Sequence, residues 1–244
     1  MTERPSVGRR LLGGLKDIVL VVLGALIISA LLRAFVFEPF TIPTESMENT
    51  LQVQDKVIAQ KVTDFKRGDV IVFQDPGQWV TGASSQRRTN PAARVLEFVG
   101  VLPNSSHDFL TKRVIGLPGD RVSCCDADGR LMINGLPLDE SDYVFPDSPV
   151  RASSTEFDVV VPRNHLFVLG DHRNASADSR CHMQDDPTGM SAFVPIDNVV
   201  GPVGLIVAPF ERWQQLRTPG AFAGVPEPTR EPPTAPEILT AAHC

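Results

Sequence analysis

Positive charge is sparse in this chain once its first 17 residues are set aside. The 244 residues carry a net charge of −6. Arg4, Arg9, Arg10 and Lys16 against Glu3 and Asp17 give residues 1–17 a balance of +2, so the remainder carries −8. A body this acidic has no broad basic face, which argues against nucleic acid as its main partner. Cysteine is scarce too, with Cys124 and Cys125 adjacent, Cys181 apart and Cys244 last. Adjacent cysteines with only His182 near Cys181 do not have the spacing of a structural zinc site. Internal repeats are absent. Beyond residue 37 there is no long 3.6-residue apolar period, apart from weak helical stretches near Ala92–Val101 and Glu211–Arg217. An all-helical body is thereby excluded.

Long apolar runs are also missing, with one exception. Ile18–Leu32 contains no charge, and Ala34–Phe37 extends it past Arg33. The 20 residues 18–37 make about 30 Å of helix at ~1.5 Å per residue, enough to cross a hydrocarbon core. Arg33 lies near one end, where its side chain can snorkel to the interface. The rival is a cleavable secretory signal. Arg33 followed by bulky Phe35 and Phe37 makes a poor cleavage site, so an uncleaved anchor is expected. The basic cluster at residues 1–17 predicts a cytoplasmic N-terminus, with everything after Phe37 outside. Outside the cytoplasm, a disulfide between Cys181 and one of the adjacent pair is open to the chain, as are free buried cysteines.

Short Val- and Ile-rich runs follow, divided by Gly, Pro, Asp and Asn. They predict strands at Lys56–Val62, Asp69–Phe73, Phe109–Ile115, Asp120–Cys124, Arg130–Asn134, Phe157–Val161, His165–Leu169 and Val199–Val207. Asn134-Gly135 is a hairpin turn signal. The expected body, residues 38–218, is mainly β, with a polar insertion at 74–108 and an inserted lobe at about 121–164. Residues 219–244, rich in proline and alanine with little to bury, are expected to be a disordered tail.

Three segments carry chemistry. Ile42–Thr50 reads I-P-T-E-S-M-E-N-T and begins just beyond the apolar run. An isolated serine here would merely cap a turn. Ser46, held close to a bilayer behind Pro43, is instead a candidate nucleophile, provided that a base removes its proton. Thr111–Asp120 reads T-K-R-V-I-G-L-P-G-D. In a strand, Lys112 shares a face with apolar Leu110 and Val114. A free lysine, with a pKa of about 10.4, cannot accept a proton at neutral pH, and bringing it to roughly 8 costs about 3 kcal/mol, which burial supplies. Gly170–Arg180 reads G-D-H-R-N-A-S-A-D-S-R, a density of polar groups suited to a hydrogen-bonded scaffold or to a solvated turn. Asp171 and His172 also raise a Ser-His-Asp triad, but neighbouring side chains in an extended segment point apart. His107, His165, His182 and His243 have no better context.

Taken together, these three segments resemble the sequence boxes of type I signal peptidases, membrane-bound Ser-Lys serine proteases. Pro43–Met47 is similar to the nucleophile box, Gly68–Phe73 to the next strand, Lys112–Asp120 to the lysine box and Gly170–Arg180 to the last box. The resemblance implies Ser46 as nucleophile and Lys112 as general base. Thr44 stands where a hydroxyl helps to hold the oxyanion, alongside the Ser46 N–H. Ser176 stands where a hydroxyl orients the lysine ammonium, and Asp178 where a carboxylate braces the site with Arg113 or Arg180. His172 replaces a common asparagine, and Asn174-Ala175 a common Asp-Asn pair. The implied fold is a twisted, mostly antiparallel β body with a smaller inserted β lobe behind one transmembrane helix. The implied reaction removes signal peptides from exported preproteins at a bacterial cell membrane, without metal or organic cofactor. The implied partners are those signal peptides and the lipid bilayer.

Three alternatives stand beside this reading. A self-cleaving repressor shares Ser-Lys chemistry but lacks an anchor and needs a DNA-binding segment. A non-catalytic membrane-anchored domain that binds peptides needs neither Ser46 nor Lys112. A dedicated processing peptidase of a conjugation or pilus system differs only in its narrower substrate range.

Overall fold

The computed structural model describes residues 7–77, 79–80, 90, 109–146 and 152–242, the first seven of them as backbone only. The apolar run forms helix α1, Val7–Phe35. Within it Gly14–Phe35 has a mean hydropathy of 2.6, and only 6% of that window is buried. Little of that surface packs against the other described residues, and so apolar a helix is suited to lipid. The span ends earlier than expected, because Phe37 already belongs to β1, Phe37–Thr41. At its end Arg33 is buried, and its backbone oxygen accepts from the Lys61 ammonium.

The remaining strands are β2 Lys56–Gln60, β3 Val70–Gln74, β4 Phe109–Gly116, β5 Arg121–Cys124, β6 Leu131–Ile133, β7 Leu136–Pro137, β8 Phe157–Val160, β9 His165–Leu169, β10 Val194–Pro195, β11 Val199–Ala208, β12 Gln214–Gln215 and β13 Glu237–Thr240. They form two sheets, antiparallel throughout. The larger runs β1-β2-β11-β3-β4-β9-β10, with β12 on β11, and the smaller runs β13-β8-β5-β6-β7. The expected mainly β architecture is what the chain adopts.

β4 sits inside the larger sheet, with β3 on one side and β9 on the other. From Lys112 to Gly116 it is buried at every position, so both faces of the lysine strand are dry. Ile71, Phe73, Val114, Leu166 and Val168 fill one core, and Phe40, Met47, Leu51, Val70 and Ile206 fill another. A third core fills the smaller sheet, built on Val122, Leu131, Phe157 and Phe167. Each fully buried side chain of this size contributes about 1.5–3 kcal/mol. The β6–β7 hairpin turns at Asn134 and Gly135 with φ of 50° and 83°, the positive values that a two-residue turn requires.

Several expectations need correction. Residues 219–242 are not a disordered tail. Phe222 is buried beside Tyr143, Pro228 and Pro232 lie over Gly119, and β13 pairs with β8. A few apolar side chains suffice, because the strand adds to a ready-made edge. The helical stretch expected at Glu211–Arg217 is a single 3-10 turn, Phe210–Arg212, followed by β12. The sulfur atoms of Cys124 and Cys125 lie side by side, and neither is placed against Cys181. Most of the insertion at 74–108, including the stretch near Ala92–Val101, lies outside the described residues. At its root Gln74 ends β3, and Trp79 is buried against Phe73 and His182.

Candidate active site

Ser46 lies on a 3-10 turn, Glu45–Met47, directly after β1. Thr44 precedes the turn in extended conformation, with φ of −133° and ψ of 162°. Met47 and Leu51, both fully buried, nail the turn to the core, while the Thr50 and Leu51 N–H groups donate to the Met47 carbonyl at 3.1 and 2.7 Å. The local apolar pattern thus fixes the backbone and leaves the serine hydroxyl facing β4.

From that strand Lys112, 3% exposed, donates through Nζ to Ser46 Oγ at 2.6 Å. Thr44 Oγ1 stands 3.3 Å from the same oxygen. Burial lowers the Lys112 pKa to about 8; Asp178 and Asp171 oppose the shift and Arg180 adds to it. An amine with that value is neutral often enough at neutral pH to serve as a base.

The third segment closes the site from the end of β9. The His172 N–H donates to the Ser46 carbonyl at 3.1 Å. A side chain at Gly170 would put its Cβ 2.4 Å from that carbonyl and 2.3 Å from Ser176 Oγ, so only glycine lets the two segments meet. Asp178, fully buried, accepts from the Gly170 N–H at 3.0 Å and from the Arg180 Nε and Nη2 at 2.8 Å each. Burial pushes its pKa up, but the Arg180 pair and the Gly170 bond outweigh that and hold it below the usual carboxylate value.

The expected site residues Thr44, Ser46, Lys112, Ser176 and Asp178 converge here, with two adjustments. Asp178 pairs with Arg180, whereas Arg113 makes a two-pronged bond to Asp171 at 2.7 and 2.5 Å. Ser176 is buried beside Gly170, yet its Oγ has no hydrogen-bond partner among the described residues. The triad is ruled out by the same geometry. Asp171 is engaged by Arg113 and the Thr50 hydroxyl, while the His172 ring stacks on Phe145 and its Nδ1 lies 3.3 Å from Glu48. His165 bonds the Arg163 carbonyl and His182 pairs with Asp185, both in other settings; His107 and His243 lie outside the described residues.

Sequence reasoning missed Asp171 as the partner of Arg113, and it missed Thr50, Glu140, Tyr143 and Arg173 altogether. For Asp171 and Arg173 the available signal was an acidic and a basic residue two apart in D-H-R at 171–173; for Thr50, Glu140 and Tyr143 no local pattern gave one.

Residues 15–208 match the family model described as signal peptidase, peptidase S26. Signal peptidase I of Mycobacterium tuberculosis is 36% identical over 241 residues, spanning 89% of this chain and 80% of that protein. A probable signal peptidase I of Mycobacterium leprae is 39% identical, over 73% of this chain and 71% of its own. Signal peptidase I of Leptolyngbya laminosa is 32% identical, over 90% and 91%.

Proposed function

Since the chain belongs to the signal peptidases of family S26 and is a serine endopeptidase that removes signal peptides, we propose that Ser46 is its nucleophile and Lys112 its general base. The observation that carries this assignment is the 2.6 Å contact between Lys112 Nζ and Ser46 Oγ at a lysine only 3% exposed.

The chemistry follows from that contact. Neutral Lys112 takes the proton of Ser46 as Oγ attacks the scissile carbonyl carbon. The negative charge that develops on the carbonyl oxygen is held by the Ser46 N–H and the Thr44 hydroxyl. At the start of a short helical turn the N–H groups have no partner within the turn, which leaves the Ser46 N–H available. Lys112 then passes its proton to the departing amine, leaving a Ser46 acyl ester. Water then loses a proton to Lys112 as it attacks the ester carbonyl carbon, and Lys112 returns that proton to Ser46 Oγ as the acyl C–O bond breaks and the product leaves. Asp178 and Arg180 hold the Gly170 end of the scaffold, and we assign to the Ser176 hydroxyl, buried beside Gly170, the role of meeting the ammonium once it forms.

Helix α1 anchors the enzyme to a membrane. In our reading the N-terminus faces the cytoplasm, because residues 1–17 carry the basic cluster, and the β body acts on the far side of a bacterial plasma membrane. The preprotein is held by its own apolar segment in the same plane.

The test is cleavage of a purified preprotein in detergent micelles by the full-length chain, Ser46→Ala and Lys112→Ala. The expected result is cleavage by the wild type alone, after a small-x-small sequence. Activity surviving in Lys112→Ala would refute the lysine base.

A further inference from the structure

The smaller sheet reaches into the charged layer behind Ser46 and Lys112. Beyond β7 the chain turns at residues 138–146 and delivers Glu140 and Tyr143, 9% and 4% exposed. Glu140 accepts from Arg173 Nη1 at 3.0 Å and Nη2 at 2.5 Å, and its Oε1 also accepts from the Tyr143 hydroxyl. Arg173, equally buried, donates through Nε to the Gly170 carbonyl at 3.0 Å and through Nη1 to the Ala152 carbonyl at 2.8 Å. The face of the Tyr143 ring lies 4.3 Å beneath the Arg113 guanidinium, the same group that grips Asp171. Two residues on, the Phe145 N–H donates to the Asp171 carbonyl at 3.0 Å.

The geometry points to Glu140 and Tyr143 as positioning residues for the Ser46–Lys112 pair, acting through Arg173 and Arg113. This rests on the dyad assignment above. The physical chain is short. Gly170 and His172 are the two points at which the third segment touches the Ser46 carbonyl. Arg173 fixes the first by its bond to the Gly170 oxygen, and Glu140 fixes Arg173. Arg113 fixes Asp171 between them, and the Tyr143 ring fixes the plane of Arg113. A planar guanidinium held by a two-pronged carboxylate on one edge and an aromatic ring on one face has a single orientation left to it. Removing either support loosens the backbone that sets the Ser46 hydroxyl against the lysine, and small displacements of a reacting pair cost rate rather than binding.

Neither residue touches the reacting atoms, so a purely structural role is the rival, and the kinetic split separates the two. Steady-state cleavage is measured for the full-length wild type, Ser46→Ala, Glu140→Gln, Tyr143→Leu and Tyr143→Phe, each below its melting temperature. Glu140→Gln and Tyr143→Leu are expected to lower kcat about tenfold or more while KM stays within about twofold. Tyr143→Phe keeps the ring under Arg113 and is expected to hold kcat within about threefold of wild type. If Glu140→Gln does not fold, the two Tyr143 variants decide the matter alone. Wild-type kcat in folded Tyr143→Leu, or a change confined to KM, would overturn the proposal while Ser46→Ala remains inactive. Cleavage by Ser46→Ala would instead overturn the dyad and the proposal with it.

Discussion

In the proposed mechanism Lys112 costs the protein stability in exchange for chemistry. Its pKa is about 8 in the fold against 10.5 for a free side chain. Below pH 8 the fold must hold a charged ammonium in a dry site, at about 3 kcal/mol relative to the neutral amine. The unfolded chain keeps its proton up to about 10.5, so between the two values it binds more protons than the native state. Stability from this residue therefore rises with pH across that window. Lys112→Met is expected to melt above the wild type at pH 7, by as much as about 3 kcal/mol of added stability, with the difference shrinking toward pH 10. Calorimetry at several pH values checks it. The meeting of Ser46 and Lys112 was legible in the sequence because each stands in a specific motif whose neighbours define its setting. The partners of Asp178 and Arg113 were not, since choosing between two arginines and two aspartates depends on which backbone segments meet, and Gly170 decides that through a contact no local pattern encodes.

At the level of elements, the strands that were legible are those with their own apolar run. All eight appear within a residue or two of their expected ends. β7 was foreseen as the second arm of the hairpin at Asn134-Gly135; those missed were β1, masked by continuity with the anchor, β10 and β12, too short to carry a period, and β13, set in a proline-rich stretch. β13 is instructive: Glu237–Thr240 contributes Ile238 to the core and takes its hydrogen bonds from β8, so its structure is borrowed from the sheet it joins. The polypeptide leading to it is held in the same way. Phe222 seats against Gly68, whose missing side chain leaves the room, and Glu227 pairs with Arg67, which also grips Asp120 just beyond β4. Phe222→Ala is therefore expected to destabilise the whole body by about 3 kcal/mol, read from urea unfolding. A truly loose tail would give no change.

For the whole molecule the important fact is the short distance in sequence between membrane and chemistry. α1 ends at Phe35, β1 starts at Phe37, and Ser46 follows on the first turn after β1. The junction is stiff: Lys61 pairs with Glu38 at 2.9 Å and donates to the Arg33 carbonyl at 3.1 Å. An enzyme tethered so tightly meets substrates in the same membrane at high effective concentration. Removing residues 1–30 is expected to leave cleavage of a short soluble peptide within about threefold, while cleavage of a preprotein embedded in vesicles falls about a hundredfold. Equal losses on both substrates would mean that the helix supports the fold rather than the encounter. The anchor and its basic flank were legible from composition, as was the β character of the body. How firmly the helix end docks was not, because it depends on Arg33 and Lys61, which are 28 residues apart.

The most direct test of the Ser46–Lys112 account is the pH dependence of kcat/KM for the wild-type enzyme on a signal-peptide substrate. The base must be neutral to act, so the rate is expected to rise with pH and to level off above a midpoint near 8, the value set by burial of Lys112. A midpoint well below 7 that disappears in His172→Asn would contradict the account and make histidine the base.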